Sequence, residues 1–496
     1  MPCRVPELFV SKLEARVPLY PIDSHTNDFV PLSRRYAFRP GARFAGILGP
    51  DTIAEIASLR DVHFGRIYTA GLVLYAWLGQ AAGPDKTCRS AVLRLAIVSM
   101  HLGRQACSTA TGGFCRARAK LSPLFVRDLT VRLGEEVEAA APKEWLYKGR
   151  PVILVDGTLI RLPDTPENLK KYPQQTHQVP GTSATSMRLV LMIALATGVL
   201  LGAAQGAYKG KGTGEMSLLH ELLAGVRSND LLVGDRYYGS YHLLSMLRVA
   251  GADGCFRLST GRQTHFLDGT AIGGDEDDRI QVWLKPTTRP RGVDAEQWNR
   301  VPETILVRVL RYEVKRKGFR CKEVNLVTTL TDADSNRKAD RANLYKERWS
   351  VELDIRAIKR AMEMHEMTSK TPQRIETDLW VHLLHYNLVR RTMAQAAWDK
   401  GRKPREVSFT ETARVLNEFG DALRRGEIDE ATRTKAITAI KVGNRSGRYE
   451  PREVKRQPRK YKERKKARAE RREERVTDPE GEKGRKGGGK NRATRR

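Results

Sequence analysis

Apolar residues recur at helical spacing through "IYTAGLVLYAWLGQAA" (67–82) and "CRSAVLRLAIVSMHLG" (88–103), so residues 1–148 predict a mainly helical unit. The pattern changes in "GRPVILVDGTLIRLPDT" (149–165). Val152 to Val155 form an apolar run without alternation, the mark of a strand covered on both faces, and Asp156 ends it. "MRLVLMIALATGVLLGAA" (187–204) contains Arg188 and a Thr197-Gly198 pair, and reads as two buried strands joined by a turn rather than a membrane span. In "NDLLVGDRYYGSYHLLSMLRVAG" (229–251), Leu231 to Val233 make another buried strand, Asp235 stands at its end, and a helix runs to Gly251. Strands that feed helices predict a central α/β sheet. "RIQVWLKP" (279–286) and "TILVRVLRYEV" (304–314) alternate apolar and polar residues instead, as half-exposed antiparallel strands do. Residues 260–321 therefore read as a β-rich insertion, after which "CKEVNLVTTL" (321–330) returns to the main sheet.

"YKERWSVELDIRAIK" (345–359) carries the chemistry. On a helix with Tyr345 at zero, Arg348 falls at about −60°, Glu352 at about −20° and Lys359 at about −40°, one narrow polar stripe. Leu344, Val351, Ile355, Ile358 and Met362 form an apolar stripe beside it that can pack on a sheet. Arg356 and Arg360 fall at about +20° and +60°, a basic edge suited to a negatively charged polymer. Glu352 then faces the sheet that ends in Asp156 and Asp235. Carboxylates gathered at one point repel by on the order of 4 kcal/mol per pair at 4 Å and a dielectric of 20, and need cations to neutralise them. Hard divalent ions with oxygen ligands, Mg2+ or Mn2+, fit, and a pair of them serves phosphodiester displacement.

Charge widens this picture. The net charge is +30, from 88 Lys and Arg against 58 Asp and Glu, which draws polyanions. Residues 445–496 carry 22 Lys or Arg and 9 Asp or Glu in low-complexity sequence and predict a disordered basic tail; +17 remains on the rest. "FCRARAKLSPLFVRDLTVRL" (114–133) adds Arg116 and Arg118 as candidate DNA contacts, against the plainer reading of a solvated helix face. Six scattered cysteines without a CxxC pair, no apolar run long enough to span a bilayer and no signal-peptide core predict a reduced, cytoplasmic, nucleoid-associated protein without membrane contact. "GAYKGKGTGE" (206–215) lacks the spacing of a nucleotide-binding loop, and "GGDEDD" (273–278) reads as a solvated loop. Asp332, Asp334 and Asp340 suit turns and a helix cap, and the ten histidines show no ligand spacing.

Asp156 in "VDGT", Asp235 in "GDRYYG" and the Tyr345-x2-Arg348-x3-Glu352-x6-Lys359 pattern together resemble the IS-four-type DDE transposases of bacterial insertion sequences. "TCRSAVLRLA", "FCRARAKL" and "YEPREVKRQPRKY" (449–461) extend the resemblance over most of the chain. It implies a ribonuclease-H-like catalytic core (149–259 and 322–440) interrupted by the β-rich insertion, behind a helical N-terminal DNA-binding domain and ahead of the tail at 441–496. Asp156, Asp235 and Glu352 would be catalytic ligands of two Mg2+ or Mn2+ ions. Tyr345, Arg348 and Lys359 would hold the phosphates of the transposon end. The resemblance further implies cut-and-paste transposition by a homodimer on double-stranded inverted ends and target DNA. It also implies a flipped base stacked on an aromatic ring, for which Trp283 and Trp298 are candidates beside a plain packing role. A DNA-binding derivative that no longer cuts, and a metal nuclease that does not join, are the alternatives.

Overall fold

The computed structural model describes residues 50–59, 68–83, 85–101, 108–174, 184–290, 293–314, 323–425 and 427–442. The basic segment from 443 onward, and with it the expectation of a disordered tail, lies outside the described residues.

Among the described residues five helices come first: α1 (Pro50–Leu59), α2 (Ala70–Ala82), α3 (Cys88–His101), α4 (Thr111–Lys120) and α5 (Pro123–Ala139). Serine and proline set the start of α5, since Ser122 accepts from the Phe125 N–H and Pro123 occupies the first turn, where its missing N–H costs nothing. The chain then enters β1 (Val152–Arg161), a short helix α6 (Pro166–Lys171), and a hairpin of β2 (Ser186–Ala194) and β3 (Leu200–Ala207). Gly198, at φ +78°, turns that hairpin, as the Thr-Gly pair predicts. Next come α7 (Glu215–Leu222), β4 (Leu231–Gly234), α8 (Tyr241–Val249) and β5 (Asp253–Arg257).

The predicted insertion contributes α9 (Thr260–Gln263), β6 (Thr270–Ile272), β7 (Asp275–Leu284), α10 (Ala295–Arg300) and β8 (Thr304–Glu313), before β9 (Glu323–Thr328) rejoins. Its strands extend the main sheet, whose order is β3-β2-β1-β4-β5-β9-β8-β7-β6. The acidic run 273–278 is not a loop. Gly273 and Gly274, both at positive φ, make the β6–β7 turn, and Asp275 to Asp278 already belong to β7. Asp278 is buried in an ion pair with the equally buried Arg308 of β8, two residues from its register partner Leu310.

The last helices are α11 (Lys338–Glu347), α12 (Trp349–Arg356), the long α13 (Pro372–Asp399), α14 (Phe409–Arg425) and α15 (Glu430–Thr438). The sequence predicts one unbroken helix over 345–359. The chain instead breaks at Arg348 and enters a π turn at Ala357–Ala361, where the Met362 N–H reaches back to the Ala357 carbonyl. A five-residue reach changes the angular step, so the α-helical wheel holds only up to Arg356.

Strand alternation divides the apolar residues between two cores. Val152, Leu154, Leu231 and Val233 join a core with α2, α5, α13 and Val351 of α12. Ile153, Val155 and Leu232 face the other core, with α7, α8, Trp283 and Trp298. A strand buried on both faces needs no polar side, which is why Val152 to Val155 do not alternate.

Candidate active site

β1 and β4 run parallel, with Leu154 opposite Val233. Asp156 lies two residues past Leu154, and Asp235 two residues past Val233, just beyond the end of β4. Adjacent strands lie about 4.8 Å apart. By alternation Asp156 shares the face of Leu154, the face on which Val351 of α12 packs. Asp235 stands just past the end of β4, as the sequence predicts. Asp156 does not end its strand. β1 continues to Arg161 because β2 pairs with it along that whole length, Asp156 against Leu191. The stop predicted at Asp156 is the end of β4 beside it: β4 pairs with β1 only from Val152 to Leu154, and that edge is next met at Arg161, which bridges to Glu366.

Burial pushes the Asp156 carboxyl up to about 6, and the charges of Asp235 and Glu352 push the same way. The Gly157 N–H donates to Asp156 Oδ1 at 2.8 Å, and this bond and the Arg348 guanidinium pull back. Asp156 is therefore in electrostatic reach of both other acids. Arg348 Nη2 also donates to Glu352 Oε1 at 2.9 Å, so one guanidinium serves two carboxylates. Tyr345 lies under that guanidinium, 5.9 Å from its ring centre, and burial pushes its hydroxyl up to about 12.

The other candidates separate from this group. Lys359 is half-buried, and its ammonium donates to Thr158 Oγ1 at 3.2 Å and to the Leu159 carbonyl at 2.9 Å, tying the π turn to β1. Arg356 is exposed, as the wheel predicts, and Arg360, inside the π turn, is exposed as well. Arg116 is exposed on α4. Arg118 is not a surface contact: it is 7% exposed, stacks 3.8 Å over Trp77, and pairs with Asp378 of α13 at 3.1 Å. A guanidinium covers an indole face well, and the basic run hides that internal role. Trp283 and Trp298 are both buried, with the Trp283 N–H donating to Gln281 Oε1, which is the packing reading. The exposed rings on the elements that carry the acids are Trp349 (49%) and Tyr237 (53%), next in sequence to Arg348 and two residues past Asp235. Sequence patterning gives no signal that separates them from buried aromatics.

An all-carboxylate donor set of this kind fits a hard divalent cation, and a carboxyl raised by burial and by two like charges needs a positive partner to ionise fully. The spacing is looser than a closed cage. Among the described residues no three acidic, histidine or cysteine side chains lie close enough to hold an ion together. No helix among them is long and apolar enough to cross a membrane.

A family model described as a Transposase DDE domain matches residues 147–388. The chain is 30% identical over 349 residues to the transposase InsG for insertion sequence element IS4 of Escherichia coli (strain K12), in an alignment covering 68% of this chain and 75% of that one. Among solved structures, a cryo-EM structure of the piggyBac transposase synaptic complex with hairpin DNA matches with a TM-score of 0.40 and 13% identity, over 83% of this chain and 87% of that one.

Proposed function

The chain belongs to the IS-four-type DDE transposases, enzymes that cleave DNA and transfer strands, and on that premise we propose that it moves its own element by cut-and-paste transposition. Asp156, Asp235 and Glu352 are the catalytic acids in this reading. What supports it is that the charges of Asp235 and Glu352 both act on the Asp156 carboxyl, with Asp156 and Asp235 each two residues past a paired position of the parallel strands β1 and β4. A core in which β2 is antiparallel to β1 while β4 and β5 are parallel supports a ribonuclease-H-like catalytic fold. The inserted strands lengthen its far edge.

Asp156, Asp235 and Glu352 would hold Mg2+ or Mn2+, two ions per site. Bound there, such ions supply the activation of water or a 3′ hydroxyl and the stabilisation of the leaving oxygen. The chain's own residues do the rest. Arg348 balances the charge of Glu352 and Asp156, and its remaining N–H groups suit a phosphate, which guanidinium binds in a forked geometry. Tyr345 holds that guanidinium from below. Lys359 fixes the π turn against β1, and Arg356 and Arg360 extend the basic edge that DNA would follow. The open faces of Trp349 and Tyr237 offer stacking surfaces for a base, a role that Trp283 and Trp298 cannot take from inside the core. Two DNA ends need two such sites, so the working unit is a homodimer on DNA in the cytoplasm.

The test is an in vitro reaction with the element's end DNA, Mg2+ and a plasmid target. Wild type should give joined product, and Asp235→Ala should bind the ends and give none. Hydrolysis without joining would reduce the proposal to a nuclease, and cleavage that survives Asp235→Ala would remove that residue from the chemistry.

A further inference from the structure

Cys88 is the first residue of α3, and Cys115 lies midway along α4. The two helices meet at these positions. Arg89 Nη1 donates to the Thr109 carbonyl at 2.6 Å, which ties the first turn of α3 to the chain entering α4. Arg118 stands three residues after Cys115, on the same face of α4, and its Nη1 donates to Cys88 Sγ at 3.1 Å. Burial pushes the Cys115 thiol up, and the charge and hydrogen bonding of the Cys88 side chain push it further, so the two sulfurs face each other across the helix contact. The cation beside them is held in place. Arg118 is buried against Trp77, bonds Gln80 Oε1 at 3.2 Å and reaches Asp378 of α13 at 3.1 Å. Both cysteines are free and only half-buried. Cys255 is the contrast: it is completely buried, and burial pushes its thiol up to about 12. A partly open sulfur that faces a fixed guanidinium, with a second thiol beside it, is the setting in which cysteine oxidation is selective.

We propose that Cys88 and Cys115 are a reactive dithiol that hydrogen peroxide converts to a disulfide, Cys88 attacking and Cys115 resolving. The Cys88 sulfur attacks one peroxide oxygen, the O–O bond breaks, and the other oxygen leaves as water once it takes up a proton. Cys88 is then a sulfenic acid. The Cys115 sulfur attacks that sulfur, its proton goes to the departing hydroxyl as a second water, and the S–S bond forms. Two thiols lose two electrons, and one peroxide becomes two waters. The bond would clamp the first turn of α3 to α4, where Arg118 joins both to α13. None of this depends on the metal-dependent reading above.

The test treats reduced full-length protein with hydrogen peroxide and maps its cysteines by mass spectrometry without reduction, in parallel arms with and without dimedone to capture sulfenic acid. Wild type, Cys88→Ser and Cys115→Ser are compared, each checked for an unchanged melting curve in the reduced state. Without dimedone, wild type should give a cross-link between Cys88 and Cys115 that dithiothreitol reverses, while Cys255 stays unmodified. Cys115→Ser should lose the cross-link and carry a dimedone adduct on Cys88. Cys88→Ser should lose the cross-link and keep Cys115 as a thiol. If Cys88 stays a thiol in wild type, or links to another cysteine such as Cys107 in place of Cys115, the proposal falls. If Cys115 takes dimedone in Cys88→Ser as readily as Cys88 does in Cys115→Ser, the assignment of Cys88 as the attacking sulfur is overturned.

Discussion

Glu352 and Asp354 leave the same helix two residues apart and meet opposite surroundings. Asp354 is completely buried and accepts from two arginines on two other segments. Arg405 grips both its oxygens at 2.7 and 2.8 Å and spends its other N–H groups on the carbonyls of Ala194 and Leu195 at the end of β2. Arg390 of α13 adds a third contact and is itself held by the Tyr386 hydroxyl. Glu352 is about a third exposed and has one partner, Arg348, four residues earlier on its own stretch of chain. An anchoring carboxylate is saturated by groups far away in sequence, which cannot let go without unfolding. A carboxylate meant to engage something else keeps one local partner that it can exchange cheaply.

The sharpest way to break this contrast is to neutralise each acid in turn. Glu352→Gln should end cleavage and joining while the free energy of urea unfolding changes by less than about 1 kcal/mol, the range for exposed pairs. Asp354→Asn should reverse the pattern. It leaves the buried Arg390 and the partly exposed Arg405 without their charge partner and should cost about 3–5 kcal/mol in the same unfolding measurement. Similar losses of stability from both substitutions would show that the two carboxylates are not doing different jobs.

Asp156 offers a second, smaller test, because it is partly buried and, among the described residues, has no arginine paired to it as Asp354 has. Its folded-state value of about 6 lies above the ordinary 3.8 of the unfolded chain. Between those values the folded form holds a proton that the unfolded form has lost, so this group's stabilising contribution is complete below 3.8 and disappears as pH rises through 6. Above that, the buried charge costs on the order of 3 kcal/mol. Asp156→Asn should therefore be more stable than wild type in metal-free buffer at pH 8. That advantage should shrink steadily as pH falls from 6 toward 4 in thermal melts. A constant difference across that range would mean that Asp156 ionises without penalty, and its likeness to Asp235 and Glu352 would weaken.

Much of this architecture is legible in the chain because it rests on local patterns. The unbroken apolar run Val152 to Val155 announces a strand between two cores, and Thr197-Gly198 announces the hairpin. Asp156, Asp235 and Glu352 stand out through motif spacing, and the structure adds that the charges of the latter two act on the Asp156 carboxyl. What escapes depends on distant partners. Arg118 looks like surface until α2 and α13 close over it, and Asp278 looks like loop until Arg308 is placed beside it. The π turn at 357–361 escapes because residue type alone does not distinguish a five-residue reach from a four-residue one.

The two kinds of tryptophan give the finest version of the comparison. Trp298 is buried, with the Lys285 ammonium 5.3 Å from its ring centre and His242 packed at 5.7 Å. Trp298→Ala should cost about 3–5 kcal/mol of stability, as removal of a large core ring does. Trp349 leaves half its surface to solvent beside Arg348, so Trp349→Ala should change stability by less than about 0.5 kcal/mol. Its effect belongs to the DNA complex. If its open face receives a base, gel-shift affinity for end DNA should fall by roughly 1–3 kcal/mol. Phenylalanine at 349 should recover most of that loss, because stacking needs a flat ring rather than an indole N–H. An alanine variant that binds ends as wild type does would leave Trp349 an ordinary exposed side chain. The acids would then have no stacking partner on α12, and Tyr237 would be the remaining exposed ring among the described residues next to them in sequence.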